Sequence, residues 1–222
     1  MAYYPVMVDL TDREVLVVGG GSVAGRKIET LLEYGAVVNV VSRELSTEIK
    51  CHVDSGKVRY LGEEFSMVFL KDKFLVIAAT DNAELNHRIS QVAEEKGMLI
   101  NAVDQPADCN FIVPSIIKKG DLIVAVSTSG KSPALAKRIR KQLTDYFGDE
   151  YELFLRMMGR IRNEVLESES DHNKNSRIFN RIVDSGLLEA VKANDINHAA
   201  LILSEILGRE ISANNVKDYI RE

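Results

Sequence analysis

This sequence contains no tryptophan, and it has only two cysteines and four histidines among its 222 residues. The two cysteines, Cys51 and Cys109, lie far apart and form no CxxC pair, which argues against a disulfide scaffold or a structural zinc site. The histidines show neither HxxxH nor HxH spacing, and no GxSxG motif occurs. We therefore expect no permanent metal site and no serine nucleophile of that type.

The chain also has no excess of positive charge, because 28 lysines and arginines face 33 acids and leave a net charge of −5. This balance argues against general nucleic-acid binding, which needs a basic surface. No apolar run approaches the roughly 18 residues of a membrane span, so no membrane partner is expected. Residues 1–5 lack the basic and long apolar regions of a signal peptide, and a cytoplasmic location is expected.

The most informative stretch is the glycine-rich run that follows the apolar residues 15–18. Gly19, Gly21 and Ala24 fit the pattern G-x-G-x-x-G/A of a dinucleotide-binding strand, turn and helix. The first glycine permits the turn, the second lets the backbone approach a pyrophosphate, and the small third residue lets the helix pack closely. Free N–H groups and the helix dipole then favour an anion. A glycine turn without a ligand is the alternative, but the preceding strand favours a nucleotide site.

Up to about residue 113, short apolar runs alternate with helical patterns, which indicates βαβ units and a doubly wound parallel sheet. Strands are predicted at 6–10, 15–18, 37–41, 58–60, 74–78 and 99–103. Helices are predicted at 22–34, 47–55 and 83–96. Gly35 and Gly97 stand where left-handed glycines end two of these helices.

The next segment departs from this alternation. Residues 112–127 give two β-rich runs joined by Lys-Gly-Asp, which predicts an antiparallel hairpin. Ser132 and Pro133 then suit the cap and first position of a helix. The apolar face of that helix carries Leu135, Ile139 and Leu143.

From residue 151 onward only helical patterns occur. The first helix has apolar positions at Phe154, Met158, Ile161 and Val165. A loop is predicted at 167–176, followed by helices at 177–184, 186–193, 196–207 and 213–221, with Asp195 and Ser212 as N-caps of the last two. The fold class is therefore α/β, with a Rossmann-type domain at 1–113, a hairpin and helix region at 114–150, and an all-helical domain at 151–222.

In a doubly wound sheet the ligand lies outside the carboxyl ends of the strands. Besides the glycine turn, the candidate cofactor contacts there are Ser42, Arg43, Glu44, Thr80, Asp81, Asn101 and Val103. Glu44 lies about where an acid would hold the ribose hydroxyls, whereas Arg43 would accommodate a 2′-phosphate. The residues alone leave NAD and NADP open.

Asp104 ends a predicted strand, two residues before a proline. A carboxylate at a strand end in a cleft acts as a general base or binds a cation. Aspartate also caps helices and forms turns, and position alone leaves these interpretations open.

A basic cluster follows, because the stretch from Thr128 to Leu143 contains five cations and no acid. In an acidic protein this local positive field suits a polycarboxylate or phosphate ligand, although a solvated helix face is the alternative. The hydroxyl-rich turn that enters the helix favours an anion site. The candidate substrate contacts are Thr128, Ser129, Lys131, Lys137 and Arg138.

Four ordered motifs together resemble a known family. They read VVGGGSVAGRK, FLVIAATDNAELN, NAVDQPADCNFIVPS and LIVAVSTSGKSPALAKRIR. The chain resembles the siroheme synthase dehydrogenase/ferrochelatase family, the precorrin-2 dehydrogenases, strongly over residues 1–145 and more loosely beyond. The resemblance implies a homodimer with a dimerisation region at 114–150. It also implies NAD-dependent oxidation of precorrin-2 to sirohydrochlorin, after which some members insert ferrous iron as a second substrate.

The resemblance also implies roles for particular residues. The family acid corresponds to Asp104, which is implicated in both steps, and nucleotide contacts fall on Ser22, Val23, Arg43 and Glu44. The tetrapyrrole substrate of the family bears eight carboxylates, so the resemblance implies that the basic cluster binds them. Thr128 departs from the pattern, since the bifunctional relatives have a functional serine there.

Two other functions fit part of the pattern. A non-enzymatic nucleotide-sensing Rossmann module needs the glycine turn but neither Asp104 nor the basic cluster. A ferrochelatase with a vestigial NAD site keeps the fold and makes iron insertion the main activity. The joint occurrence of all three features favours the dehydrogenase.

Overall fold

The computed structural model describes residues 3–221. Residues 1–2, which are part of the segment in which no signal peptide is predicted, lie outside the described residues. The chain divides into two units, Met1–Val113 and Pro114–Glu222. The further division of the second unit at residue 150 stays a prediction. None of the helices within residues 3–221 combines the length and the apolar character that crossing a membrane requires.

The first unit is built on a parallel sheet. Its strands are β1 (Glu14–Val18), β2 (Val37–Val41), β3 (Val58–Gly62), β4 (Leu75–Ala78) and β5 (Leu99–Ala102). Its helices are α1 (Ser22–Glu33), α2 (Thr47–Asp54) and α3 (Ala83–Glu95), with 3₁₀ turns at Met67–Leu70 and Pro106–Asp108. The strands are ordered β3-β2-β1-β4-β5. The predicted doubly wound sheet is confirmed.

Both faces of the sheet are covered, which explains why its strands are continuously apolar. Val15 and Val17 of β1 pack in the core formed with α1 and α2. Leu16 and Val18 point to the opposite face and pack in the core that includes α3. The helix ends also follow the prediction, because Gly35 and Gly97 adopt left-handed φ angles of +74° and +71°.

The second unit begins with an antiparallel hairpin and continues with helices. The hairpin strands are β6 (Ser115–Lys119) and β7 (Leu122–Val126). The helices are α4 (Pro133–Tyr146), α5 (Glu150–Ser168), α6 (His172–Val183), α7 (Leu187–Lys192), α8 (Ile196–Leu207) and α9 (Ala213–Ile220). Ser132, Asp195 and Ser212 cap α4, α8 and α9 as predicted.

The helices of this unit enclose an apolar core of their own. Met157, Ile161, Leu187, Leu203 and Val216 are fully buried in it. Met157 takes the inward position in place of the predicted Met158, which is only partly buried. Both lie within one turn of Phe154, so helical spacing alone does not separate them.

The predicted strand at 6–10 is wrong, because these residues form no strand. Val6 and Met7 are 63% and 72% exposed. The next strand along the chain, β1, is already paired with β2 on one side and with β4 on the other.

The predicted loop at 167–176 is also wrong, since α5 extends to Ser168 and α6 already begins at His172. Asp171 caps α6 by accepting hydrogen bonds from the N–H groups of Asn173 and Lys174. The polar residues that suggested a loop therefore belong to two helix ends, where polar side chains satisfy free backbone groups.

Glu14, at the amino end of β1, lies at the centre of a polar network. Its carboxylate accepts hydrogen bonds from Lys73 Nζ at 2.6 Å and from Asn39 Nδ2 at 2.7 Å. Asn39 is fully buried and the Lys73 side chain is only 11% exposed. The hydrogen bond from Lys73 holds the pKa of Glu14 below its usual value, against the opposing effect of burial. Acid therefore weakens the folded state at this site.

We expect Lys73→Met to lower the free energy of unfolding by about 1 kcal/mol near pH 7, as for a pair partly screened by solvent. The stabilisation is complete above the usual glutamate pKa of 4.5 and is lost as pH falls through the lower folded value. The difference in Tm between wild type and variant, followed by circular dichroism, should therefore shrink below about pH 4.5. The exposed Lys71→Met is the control, and a difference that is independent of pH would contradict the prediction.

Candidate functional site

The predicted cofactor residues of the first unit lie at one edge of the sheet. Backbone hydrogen bonds continue past the strand ends, from Gly19 N–H to the carbonyl of Val41 at 2.9 Å and from Val103 N–H to the carbonyl of Ala78 at 2.9 Å. The loops after β1, β2, β4 and β5 therefore start side by side. This edge is where a doubly wound sheet binds its ligand.

The three glycines after β1 have different surroundings. Gly19 has a left-handed φ of +121°, and a Cβ there would collide with the carbonyl oxygen of Ala79. A Cβ on Gly20 would collide with the carbonyl oxygen of Glu44. Gly21 instead faces space in which no described atom lies within 4 Å of a Cβ position. The first two glycines let neighbouring loops approach, and the third leaves room for a ligand. The motif missed Gly20, because its pattern allows any residue there.

The start of α1 is free of acceptors. Gly21 is its N-cap and supplies no side-chain hydrogen bond, and the first turn contains no acid. Side-chain caps occupy this position in most other helices, namely at Ser46, Asn82, Ser132, Asp171, Asp195 and Ser212. Within the part of the chain that the structure describes, no side chain caps the N–H groups of Ser22, Val23 and Ala24, and they suit an anion.

The loop after β2 carries three predicted contacts. Ser42 Oγ donates to the carbonyl of Glu44 at 2.7 Å and thereby fixes the loop. The exposed Arg43 pairs with Glu64 at 3.3 Å, so its charge is shared with a carboxylate. The carboxylate of Glu44 is exposed and has no partner among residues 3–221, which leaves it available to a ribose hydroxyl.

Thr80, after β4, is held by a residue that sequence analysis missed. Its Oγ1 donates to Asn86 Oδ1 at 2.7 Å, and Asn86 Nδ2 donates to the Thr80 carbonyl at 2.9 Å. Asn86 is only 2% exposed. A polar residue within a helix gives no motif, and the only signal is its position on the buried face of α3. The neighbouring Asp81 is exposed.

Asp104 lies in a turn directly after β5, with a left-handed φ of +61°. The N–H of Gln105 donates to the carbonyl of Ala102 at 3.3 Å and closes the turn. Aspartate tolerates this conformation better than most residues. The Asp104 carboxylate is exposed and forms no hydrogen bond or ion pair with any described residue. The two interpretations from sequence are therefore compatible, because the residue forms a turn and keeps its carboxylate free.

Asn101 and Val103 are engaged within the protein. Asn101 Nδ2 donates to the carbonyl of Phe111 at 3.2 Å, and the Val103 side chain packs in the core beside α1. Cys109 Sγ lies beside them and accepts from the N–H of Ala102 at 3.2 Å. Burial raises the pKa of the Cys109 thiol and lowers that of the Lys27 ammonium. These residues shape the loop, and their predicted contact with the cofactor stays a prediction.

In the second unit, the hydroxyl-rich turn before α4 is held by its own side chains. Ser127 Oγ accepts from the N–H of Ser129 at 3.0 Å, and Thr128 Oγ1 accepts from the N–H of Ser132 at 3.1 Å. Ser129 and Gly130 have φ angles of +51° and +79°. The Thr128 hydroxyl thus uses an acceptor lone pair internally and can still donate its own hydrogen.

The basic cluster lies on α4. Lys137, Arg138, Arg140 and Lys141 line an open cavity of about 400 Å³ in which Asp145 is the acid. None of the four cations forms an ion pair with another residue of the described range 3–221. Lys131 is exposed in the preceding turn. Unpaired cations along one groove attract a ligand with several negative charges.

A further cluster, on α3 and the loop after β5, escaped sequence analysis. His87 Nδ1 lies 2.6 Å from Asp108 Oδ1, although the residues are 21 positions apart. No motif signals this pairing. Within residues 3–221, no three His, Cys, Asp or Glu side chains are grouped as a metal site would require.

Two family models match the chain. Residues 6–115 match the model described as "Putative NAD(P)-binding", and residues 119–146 match the model for the central part of sirohaem biosynthesis proteins. Among solved structures, SirC, a precorrin-2 dehydrogenase, superposes with a TM-score of 0.77 at 26% identity, covering 93% of this chain and 100% of that one.

Curated relatives extend the match. The siroheme synthase of Mannheimia succiniciproducens is 33% identical over 99% of this chain and 44% of its own length. That of Sodalis glossinidius is 48% identical over 64% of this chain and 30% of its own length. The chain thus spans less than half of these relatives. These matches confirm the predicted resemblance to the siroheme synthase dehydrogenase/ferrochelatase family.

Proposed function

We propose that this chain catalyses the NAD-dependent dehydrogenation of precorrin-2 to sirohydrochlorin. The observation that carries the proposal is an uncapped glycine turn and the free carboxylate of Asp104 at the same edge of one sheet. The reaction removes a hydride and a proton from the substrate, and bound NAD supplies the hydride acceptor. Asp104 then accepts the proton as general base, so the products are sirohydrochlorin, NADH and one proton.

The residues around the glycine turn fit the cofactor. The open space at Gly21 and the uncapped start of α1 suit a pyrophosphate. The free carboxylate of Glu44 suits the ribose hydroxyls. Because Arg43 already shares its charge with Glu64, a 2′-phosphate gains less there, which favours NAD over NADP.

The second unit suits the substrate. Lys137 and Arg138 belong to the four unpaired cations on α4, and Lys131 precedes them in the turn. A tetrapyrrole with eight carboxylates is a ligand of matching charge. The Thr128 hydroxyl can still donate a hydrogen bond to one carboxylate of the substrate. The similarity to siroheme synthases and to a precorrin-2 dehydrogenase supports the same substrate.

A homodimer formed through residues 114–150 completes the proposal. The predicted apolar face of α4 is poorly covered, since Leu135 is 48% exposed and Ile139 and Leu143 are partly exposed. Among the described residues, the sheet formed by β6 and β7 consists of two strands, which is marginal on its own. A second copy of the chain would cover both.

We expect Gly21→Asp to weaken NAD binding by at least about tenfold, or about 1.4 kcal/mol, because it places a carboxylate where the pyrophosphate would bind. Isothermal titration calorimetry would measure the affinity. Gly186→Asp is a matched control, since Gly186 is also an N-cap with open surroundings and a φ of −74°. Unchanged affinity in Gly21→Asp would contradict the cofactor site.

The proposed reaction is tested by anaerobic incubation of the protein with precorrin-2 and NAD, following NADH absorbance and the sirohydrochlorin spectrum. Asp104→Asn keeps the turn but removes the base, and we expect turnover to fall by about 100-fold or more with NAD affinity unchanged. Asp72→Asn is the control, because Asp72 is exposed and has the same φ of +61°.

The outcomes separate the alternatives. Absence of NADH formation despite NAD binding would contradict the dehydrogenase and favour a nucleotide-sensing module. Adding ferrous iron afterwards divides the remaining cases. Sirohydrochlorin that persists indicates a dehydrogenase alone, and siroheme that forms faster than in the protein-free control indicates iron insertion as well.

The dimer is tested by light scattering after size exclusion. The wild type should elute as a dimer of 24.7 kDa chains, and Leu135→Glu should elute as a monomer because it places a charge in the interface. Leu201→Glu is the control, since Leu201 is 70% exposed on α8 of the same unit. A monomeric wild type would refute this part of the proposal.

A further inference from the structure

We propose that Asp108 is the positioning residue for Asp104, because it ties the loop after β5 to helix α3. The inference rests on the proposed function, in which Asp104 accepts the proton. Asp108 lies four positions beyond Asp104, at the end of the 3₁₀ turn Pro106–Asp108. Nothing in the proposed chemistry uses Asp108 directly.

Asp108 is fixed by three hydrogen bonds from side chains. Its Oδ1 lies 2.6 Å from His87 Nδ1, and its Oδ2 accepts from Gln105 Nε2 at 3.2 Å. Its backbone carbonyl accepts from Ser90 Oγ at 2.8 Å. Both carboxylate oxygens and the carbonyl are therefore occupied. His87 and Ser90 belong to α3, so these bonds hold the loop against a rigid element.

The same bonds determine the place of the residue next to Asp104. Gln105 Nε2 donates both to Asp108 and, at 3.1 Å, to the carbonyl of Ala83 at the start of α3. The backbone N–H of Asp108 donates a hydrogen bond to the Gln105 carbonyl at 2.9 Å. Gln105 is thus held on its backbone and on its side chain, immediately after the Asp104 turn.

Asp104 depends on this support, because its own side chain has no contact that would fix it among residues 3–221. Its left-handed φ of +61° costs energy in a residue other than glycine, and such strain persists only where the surroundings impose it. Loss of the Asp108 carboxylate would remove the bond from His87 and one of the two bonds that hold the Gln105 side chain, and would thereby loosen the turn. A displacement of about 1 Å at a reacting group costs on the order of 100-fold in rate.

The experiment compares kcat and KM for precorrin-2 oxidation. Asp108→Ala should lower kcat by about 10-fold to 100-fold and leave both KM values within about threefold, since ground-state binding does not involve Asp104. Asp108→Asn should restore most of kcat, because an amide can accept from Gln105 and donate to His87.

His87→Ala gives the same test at an exposed site, where folding is less sensitive, because the His87 side chain is 50% exposed. We expect an intermediate loss of kcat, since one of the three bonds is removed. Arg88→Ala is the matched control, because Arg88 is the next residue on α3, is exposed and has no bonded partner within the described residues. Its kcat should equal that of the wild type.

A double variant distinguishes positioning from a general loss of structure. In an Asp104→Asn background, Asp108→Ala should cause no further loss of kcat, because its effect acts through Asp104. Losses that multiply, a raised KM with unchanged kcat, or wild-type kcat in both Asp108→Ala and His87→Ala would overturn the inference. If Asp104→Asn itself keeps full turnover, the proton acceptor in the proposed function is wrong and the inference fails with it.

Discussion

The candidate site depends on one steric constraint, which is that the backbone after β1 lies directly against two other loops. The carbonyl oxygens of Ala79 and Glu44 occupy the positions that side chains at Gly19 and Gly20 would need. Glycine alone permits this close contact, and the contact brings the loops after β2 and β4 to the start of α1. The groups at this edge of the sheet take their positions from that convergence.

In the proposed function, three kinds of chemical group have separate roles. Backbone N–H groups at the start of α1 serve the cofactor phosphates, one carboxylate serves the proton, and side-chain cations on α4 serve the substrate charges. None of these groups has a partner among residues 3–221, which leaves each of them available to a ligand. The supporting residues, such as Asn86 and Asp108, show the opposite pattern, because nearly all of their polar atoms are bonded.

The sequence predicted what depends on local pattern. The five strands of the parallel sheet, the glycine turn after β1 and the caps at Asp195 and Ser212 follow from neighbouring residues and were correct. The strand expected at 6–10 was wrong because local pattern does not show pairing, and β1, the next strand along the chain, is already paired on both sides. The bond from His87 to Asp108 was missed for the same reason, since the two residues are 21 positions apart. Asn86 was missed because a polar residue within a helix carries no motif, although its partner Thr80 is near in sequence.

The network around Glu14 lies at the amino end of β1, whereas the candidate site lies at the carboxyl end of the same strand. At about 3.3 Å per residue, the length of β1 separates the Glu14 network from the charged groups of the candidate site by roughly 16 Å. This separation is greater than the screening length of physiological salt, about 8 Å. Protonation at one end of β1 therefore has little electrostatic effect on the groups at the other end. Selection can adjust the acid tolerance of this fold through residues such as Lys73 and Asn39 while the reactive edge retains its own dependence on pH.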